Sequence, residues 1–242
     1  MPDQTTNTGD NMATRPIFIP KKLGVIGVEE KILDFPWHPG MATVQKQKSI
    51  QELHNAAKIH GFYPILEISS KSPEDIGVNL SAFNLCITTK VKNITFTVET
   101  AFQGSKIFER GGPYKDLIGM DSKSAKKDIR LKESGNLIGF EFFGKKFPLI
   151  PRTFFYDWIY INALHQNSDL SKNLILYNGF SDIEFNPNKS INCQAYSAAL
   201  YLSILNNGCL VDALSSPERF LELTIAQYEY QQRNIYVQAT LI

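Results

Sequence analysis

The chain has 242 residues, 43% hydrophobic, 20% charged and 12% aromatic, which is enough apolar material for a sizeable core and excludes wholesale disorder. Lys plus Arg number 25 against 24 Asp plus Glu; a net charge of +1 excludes a polycation and leaves any nucleic-acid contact to a local basic patch. Cys86, Cys193 and Cys209 have no paired or CxxC spacing, which argues against a disulfide framework and a zinc ribbon, and no apolar run reaches the roughly 18 to 20 residues that span a bilayer.

The first residues, MPDQTTNTGDN, carry neither a basic n-region nor an apolar h-region, so no secretory signal is read and a cytoplasmic location is expected. Residues 1–14 are expected to form a flexible polar tail and 15–242 a single domain. Arg15 to Pro20 (RPIFIP) reads as an edge strand, because its prolines cannot donate to a central ladder. Asp34 to Gly40 is a turn-rich loop. Thr43 to His60 reads as a helix, with Val44, Ile50, Leu53 and Ala57 at helical spacing and Gly61 as a stop.

The period then changes. Pro64 to Ser69, Leu80 to Ile87 and Asn93 to Val98 are short, rich in β-branched and aromatic residues, and bounded by turn formers, so they predict strands. Val98 to Arg110 returns to a helical pattern, ended by Gly111-Gly112-Pro113. Ser122 to Ser134 predicts a basic helix closed by Gly135, and Leu137 to Phe143 with Lys146 to Ile150 a hairpin around Gly144-Lys145. Helices are expected from Arg152 to Gln166 and from Ser190 to Asn206. Another opens at Ser215-Ser216-Pro217-Glu218, and Ile235 to Ile242 alternates like a terminal strand. The pattern as a whole predicts an α+β fold: one predominantly helical domain with short antiparallel strands.

Several patterns look chemical and are not. Gly139 to Lys146 has the glycine and lysine spacing of a phosphate loop, but Lys146 stands where Ser or Thr would hold magnesium, and a hairpin explains it better. Ser124-Ala-Lys-Lys127 fits S-x-x-K without its companion motifs. His38, His54, His60 and His165 form no HExxH; His54 and His60 are about 240° out of phase on a helix, so no metal site is expected.

The segment Val98 to Lys106 carries the most information. On a continuous helix at about 100° per residue, Glu99, Gln103 and Lys106 fall within roughly 60° of one another, with Arg110 alongside. An acid and an amine two turns apart leave room for a ligand, whereas an i,i+4 pair would merely stabilise a surface helix. The competing reading is an exposed polar stripe on an amphipathic helix.

V-E-x-x-F-Q-x-x-K at this place resembles the helix motif of the NADAR family, and Leu80-Ser-Ala-Phe83 resembles its upstream Leu-Ser-x-Phe. The strings QKQKSIQELHNAA, LEISSKS, GSKIFERGGPY, FYDWIYINAL and IEFNPNKSINCQA are similar to the branch that accompanies DarT-type toxins as an antitoxin, from Arg15 to about Leu214. Thr100-Ala101 departs from the frequent His-Tyr, and Ser181 to Asn186 stands where a glycine-rich tryptophan motif is common.

The resemblance implies removal of ADP-ribose from guanine bases in DNA, with RNA as the alternative polymer, reversing the modification made by a DarT-type toxin, the functional partner. It implies a covalent adduct on Lys106, with Glu99 moving protons, and calls for no cofactor, metal or membrane. Ser81 and Gln103 are candidates to hydrogen-bond ribose or phosphate, Phe83 to stack on a base, Asp182 and Asn186 to hold ribose hydroxyls, and Gly111 and Gly112 to offer amides to the diphosphate. For each of these, packing, capping or turn formation is an equal explanation. Lys123, Lys126, Lys127, Arg130 and Lys132 on the basic helix, with Lys145 and Lys146, are candidates for strand phosphates or simply a solvated face. Two other function classes remain open: a module that binds ADP-ribose or the toxin without turnover, and a nonenzymatic nucleic-acid binder built on the basic helix.

Overall fold

The computed structural model describes residues 11–89, 93–188 and 190–231. The chain begins with a long hairpin, β1 (Met12–Pro20) and β2 (Val28–Pro36), paired over nine positions from Met12↔Pro36 to Pro20↔Val28. Strand β1 therefore takes in Met12, Ala13 and Thr14 from the expected tail, and β2 absorbs Asp34 to Pro36 from the expected loop. Helix α1 (Thr43–Ile59) buries Ser49, Ile50, Leu53 and Ala57, whereas Val44, expected on that face, is exposed. It ends at Gly61, whose φ of +82° suits glycine.

Next come β3 (Ile65–Glu67), a short α2 (Asp75–Asn79) that the sequence did not announce, and a hairpin of β4 (Cys86–Thr88) and β5 (Thr95–Thr97). Helix α3 (Val98–Gly104) leads directly into β6 (Lys106–Phe108). A 3-10 turn over Lys115–Gly119 is followed by α4 (Ser122–Lys127) and α5 (Arg130–Glu133). The expected single basic helix is thus two pieces. Asp128 breaks it with an extended ψ of 129°, and its carboxylate accepts from the backbone N–H and guanidinium of Arg130.

Strands β7 (Leu137–Phe142) and β8 (Lys145–Phe147) form the expected hairpin and join β6 in the order β6-β7-β8. The phosphate-loop-like string lies on this hairpin, so no helix follows it. The rest is mainly helical: α6 (Phe154–Gln166), α7 (Ser168–Asn173), a 3-10 turn at Leu174–Leu176, strand β9 (Gly179–Ser181), α8 (Gln194–Asn206), α9 (Leu210–Ala213) and α10 (Pro217–Tyr230). The cap of α10 is Ser216, whose side chain accepts from Arg219 N–H, with Pro217 in the first turn. The expected strand from Ile235 to Ile242 lies outside the described residues.

The largest sheet has the order β2-β1-β9-β3, with β3 and β9 parallel and the other pairs antiparallel. β1 is consequently interior, not an edge. Its prolines are tolerated because β9 meets only Ile17 and Phe18, so neither Pro16 nor Pro20 is asked for a hydrogen bond on that side. The fold class is α+β as expected, with one parallel pair.

Helices α6 and α8 are mostly apolar, buried on most of their faces, and run through the main core. The buried Asp157 of α6 accepts from Ser197 Oγ at 2.6 Å and Tyr228 Oη at 3.0 Å, tying α6 to α8 and α10. Phe140, Phe147 and Phe155 stack at centroid distances of 4.7 to 4.8 Å, so the β6-β7-β8 sheet is anchored on α6 by aromatic packing. Among the described residues no helix is long and apolar enough to cross a membrane.

Candidate active site

Helix α3 starts where it does because Thr97 and Thr100 cap each other. Thr97 Oγ1 accepts from Thr100 N–H at 3.2 Å, and Thr100 Oγ1 accepts from Thr97 N–H at 3.2 Å. The threonine that departs from the family pattern thus has a local task. Gly104, the last helical residue, packs closely against its surroundings: a Cβ there would lie 2.7 Å from Ile118 Cγ1 and 3.2 Å from the Tyr114 carbonyl. Beyond Gly104 the chain extends, and Lys106 pairs with Phe140 as the first residue of β6. Glu99 and Lys106 therefore do not share a helix border, and the wheel that grouped them with Arg110 does not apply. They converge because β7 turns Lys106 back beside the helix.

Both line one cavity of about 550 Å³, within the range of small-molecule sites. Its walls include Ser69 and Ser70 after β3, Ser81 to Phe83, Glu99, Phe102 and Gln103 of α3, Lys106, and Phe140 of β7. Lys126, Arg152, Tyr156, Asp182, Glu184, Asn192 and Gln194 complete the polar lining. Gln194 fixes two walls at once: its Oε1 accepts from Ala82 N–H at 2.7 Å, and its Nε2 donates to the Ile68 carbonyl at 2.7 Å.

The buried Glu99 accepts from Gln103 Nε2 at 2.9 Å, and the Lys126 ammonium lies 3.8 Å from the same oxygen. Gln103 Oε1 is buried with no hydrogen-bond partner among the described residues, an acceptor with nothing to accept from. Lys106 Nζ sits 4.7 Å from the centroid of the Phe102 ring. Burial lowers its amine to about 8; the Glu99 carboxylate opposes that shift and the Lys126 ammonium adds to it. Desolvation thus outweighs the opposing Glu99 carboxylate. At pH 7.5 about a quarter of such an amine is neutral, against about one in a thousand for an ordinary lysine.

Asp182 follows β9 and faces the cavity while its Oδ1 accepts from Glu184 N–H at 3.0 Å and Phe185 N–H at 3.2 Å. Burial and the nearby Glu67 push its carboxyl well above the usual range. Behind it, Glu67 accepts from Ser181 Oγ at 2.5 Å and Ile183 N–H at 2.8 Å. His54 Nε2 lies 2.8 Å from Ser181 Oγ. With Ser181 donating to Glu67, His54 must be the donor, consistent with a neutral ring whose pKa burial depresses to about 4.

Six sequence candidates thus meet in the cavity: Glu99, Lys106, Gln103, Ser81, Phe83 and Asp182. Three do not. Asn186 is a turn residue whose Oδ1 accepts from Asn188 N–H. Gly111 and Gly112 lie beneath the lysine instead of offering amides: a Cβ on Gly112 (φ +86°) would stand 2.2 Å from the Lys106 carbonyl, and one on Gly111 would meet the Tyr114 hydroxyl. Arg110 donates to the Glu133 carbonyl at 2.9 Å. Of the basic-helix residues, Arg130 is engaged by Asp116 and Asp128, and Lys126 belongs to the cavity. Ser69, Ser70, Arg152, Tyr156 and Asn192 were not anticipated. A glutamate inside the apolar run PILEIS was the available signal for Glu67. Among the described residues no group of three His, Cys, Asp or Glu converges as a metal site.

Comparison with known families identifies the chain. The profile described as DarT1-associated NADAR antitoxin matches residues 13–234, so the chain belongs to that family. No curated protein matches the chain significantly.

Proposed function

We propose that this DarT1-associated NADAR antitoxin acts as an enzyme that removes ADP-ribose from guanine bases in DNA, through a covalent adduct on Lys106. The observation that carries the reading is a lysine and a buried glutamate lining one cavity, where burial lowers the lysine amine to about 8. In the starting N-glycoside, the anomeric carbon of ADP-ribose is bonded to the ring oxygen and to the exocyclic nitrogen of guanine. Opening the ribose ring protonates the ring oxygen and leaves an imine to guanine. The neutral Lys106 amine adds to the anomeric carbon. Proton transfer through Glu99 then lets the guanine amine leave neutral, and an imine to Lys106 remains. Water adds to that imine, the lysine amine departs, and the ring closes to free ADP-ribose. The sum is one water consumed and one C–N bond cleaved.

The other polar walls fit binding. Gln103 Oε1, Ser81 and Asp182 offer polar atoms to hydroxyls of the ligand. Tyr156, whose phenol burial holds protonated, offers a donor. Phe83 offers a ring face at the mouth. Antitoxin action then follows from repair of the modified base. The test is incubation with an oligonucleotide carrying ADP-ribosylated guanine, measuring free ADP-ribose and restored guanine. Turnover at substoichiometric protein supports the enzyme; binding without release would leave a binding module.

A further inference from the structure

Lys126 reads from the sequence as one cation of a basic helix, a candidate for strand phosphates or simply part of a solvated face; in the structure it lines the cavity, its ammonium 4.9 Å from the Phe83 ring centroid and 3.8 Å from Glu99 Oε1. The two partners differ sharply in exposure, 55% for the lysine side chain and 7% for the glutamate. At 3.8 Å the pair is an ionic contact beyond hydrogen-bond length, and one end is in water. Such a pair is weak and readily exchanged, while the charge itself is held at the entrance by the aromatic ring. Glu99 keeps a second, closer partner in Gln103 and so retains its position when the lysine leaves.

We propose that Lys126 is a phosphate-reading, specificity-determining residue: it covers Glu99 in the empty site and transfers to a phosphate of the incoming ligand, freeing Glu99. The inference rests on the proposed function, because a phosphate must enter with the substrate. That phosphate comes either from the diphosphate of ADP-ribose or from the strand beside the modified base; an ammonium recognises both as a point charge. The neighbouring Lys127 is exposed and does not line the cavity, which makes it the control of equal charge and nearly equal sequence position.

The experiment compares the wild type, Lys126→Gln, Lys126→Arg and Lys127→Gln on two substrates: an oligonucleotide carrying ADP-ribosylated guanine, and ADP-ribosylated guanosine as the free nucleoside. Lys126→Gln should raise KM about tenfold, the weight of one charge-assisted contact, with kcat moved much less. Lys126→Arg should restore most of the loss, and on the free nucleoside, which has no strand phosphates, Lys127→Gln should match the wild type. A KM effect on both substrates assigns the diphosphate; an effect on the oligonucleotide alone assigns the strand. Equal KM values for wild type and Lys126→Gln on both substrates overturn the inference while the proposed function stands. An arginine variant as impaired as the glutamine variant also overturns it, since charge would then not be what is read. A wild type that neither binds nor cleaves either substrate overturns the proposed function and this inference together.

Discussion

Replacing Lys106 by methionine should make the protein more stable at neutral pH while ending its activity. The amine is lowered from 10.5 to about 8, chiefly because burial disfavours its charged form. A group whose folded pKa lies below its unfolded value binds fewer protons in the folded state between those two values, so stability rises with pH across that window. Below about pH 8 the folded protein carries the full penalty, about 3 kcal/mol for a shift of this size. Above about pH 10.5 the amine is neutral in both states and the penalty is gone. Methionine fills a similar volume without a charge but forfeits the ammonium contact over Phe102, worth roughly 0.5 to 2 kcal/mol. The net gain for Lys106→Met at pH 7 is therefore about 1 to 3 kcal/mol, a rise in Tm of several degrees for a chain of this size. Urea denaturation of both proteins at pH 7 and pH 10 reads the effect as a double difference, in which titrations common to both cancel. The gain should be largest at pH 7 and shrink towards pH 10. A variant less stable than the wild type at pH 7, or a gain that does not change with pH, would refute the claim that the amine is held against its preferred charge.

Glu99→Gln keeps the shape of the α3 side chain and removes its titrating group; kcat should fall by about 10² to 10⁴ while ADP-ribose affinity by calorimetry changes far less. Gly112→Ala forces a Cβ towards the Lys106 carbonyl at a φ of +86°, so adduct yield per folded molecule should fall along with the denaturation midpoint. An alanine variant with normal yield would show that the glycine does not set the lysine's position. Turnover should survive thorough chelation, because the proposed steps need only an amine, a carboxyl and water; a loss restored by one divalent ion would contradict them.

The periodicity of α1, the α3 start at Val98, the β7–β8 hairpin and the central helices α6 and α8 were legible because each depends on local pattern. Lys106 shows where local pattern fails. Nothing in Val98 to Arg110 forbids a longer helix; it gives way to strand β6 where Lys106 to Phe108 pair with β7, a partner about 30 residues on. The spacing thus grouped two residues that do line one cavity, but by a geometry the chain does not use. Gly111 and Gly112 were misread for the same reason: their smallness makes room for the Lys106 carbonyl and the Tyr114 hydroxyl, contacts that appear only once β6 is in place. Ser69, the Arg152–Tyr156 segment and Asn192 reach the cavity from parts of the chain far from one another, and no short window could have grouped all of them. Asp182 was legible as a turn former or ribose-binding candidate, whereas the upward shift of its carboxyl comes from burial and from Glu67, 115 residues earlier.

The central claim is that Lys106 carries the substrate. Reductive trapping with borohydride during turnover of an ADP-ribosylated oligonucleotide, followed by peptide mapping, addresses it directly. A single adduct on the peptide containing Lys106 should form, with none in Lys106→Ala or in Lys106→Arg, whose guanidinium stays charged. An adduct on another lysine, or full turnover by a well-folded Lys106→Ala protein, would contradict it.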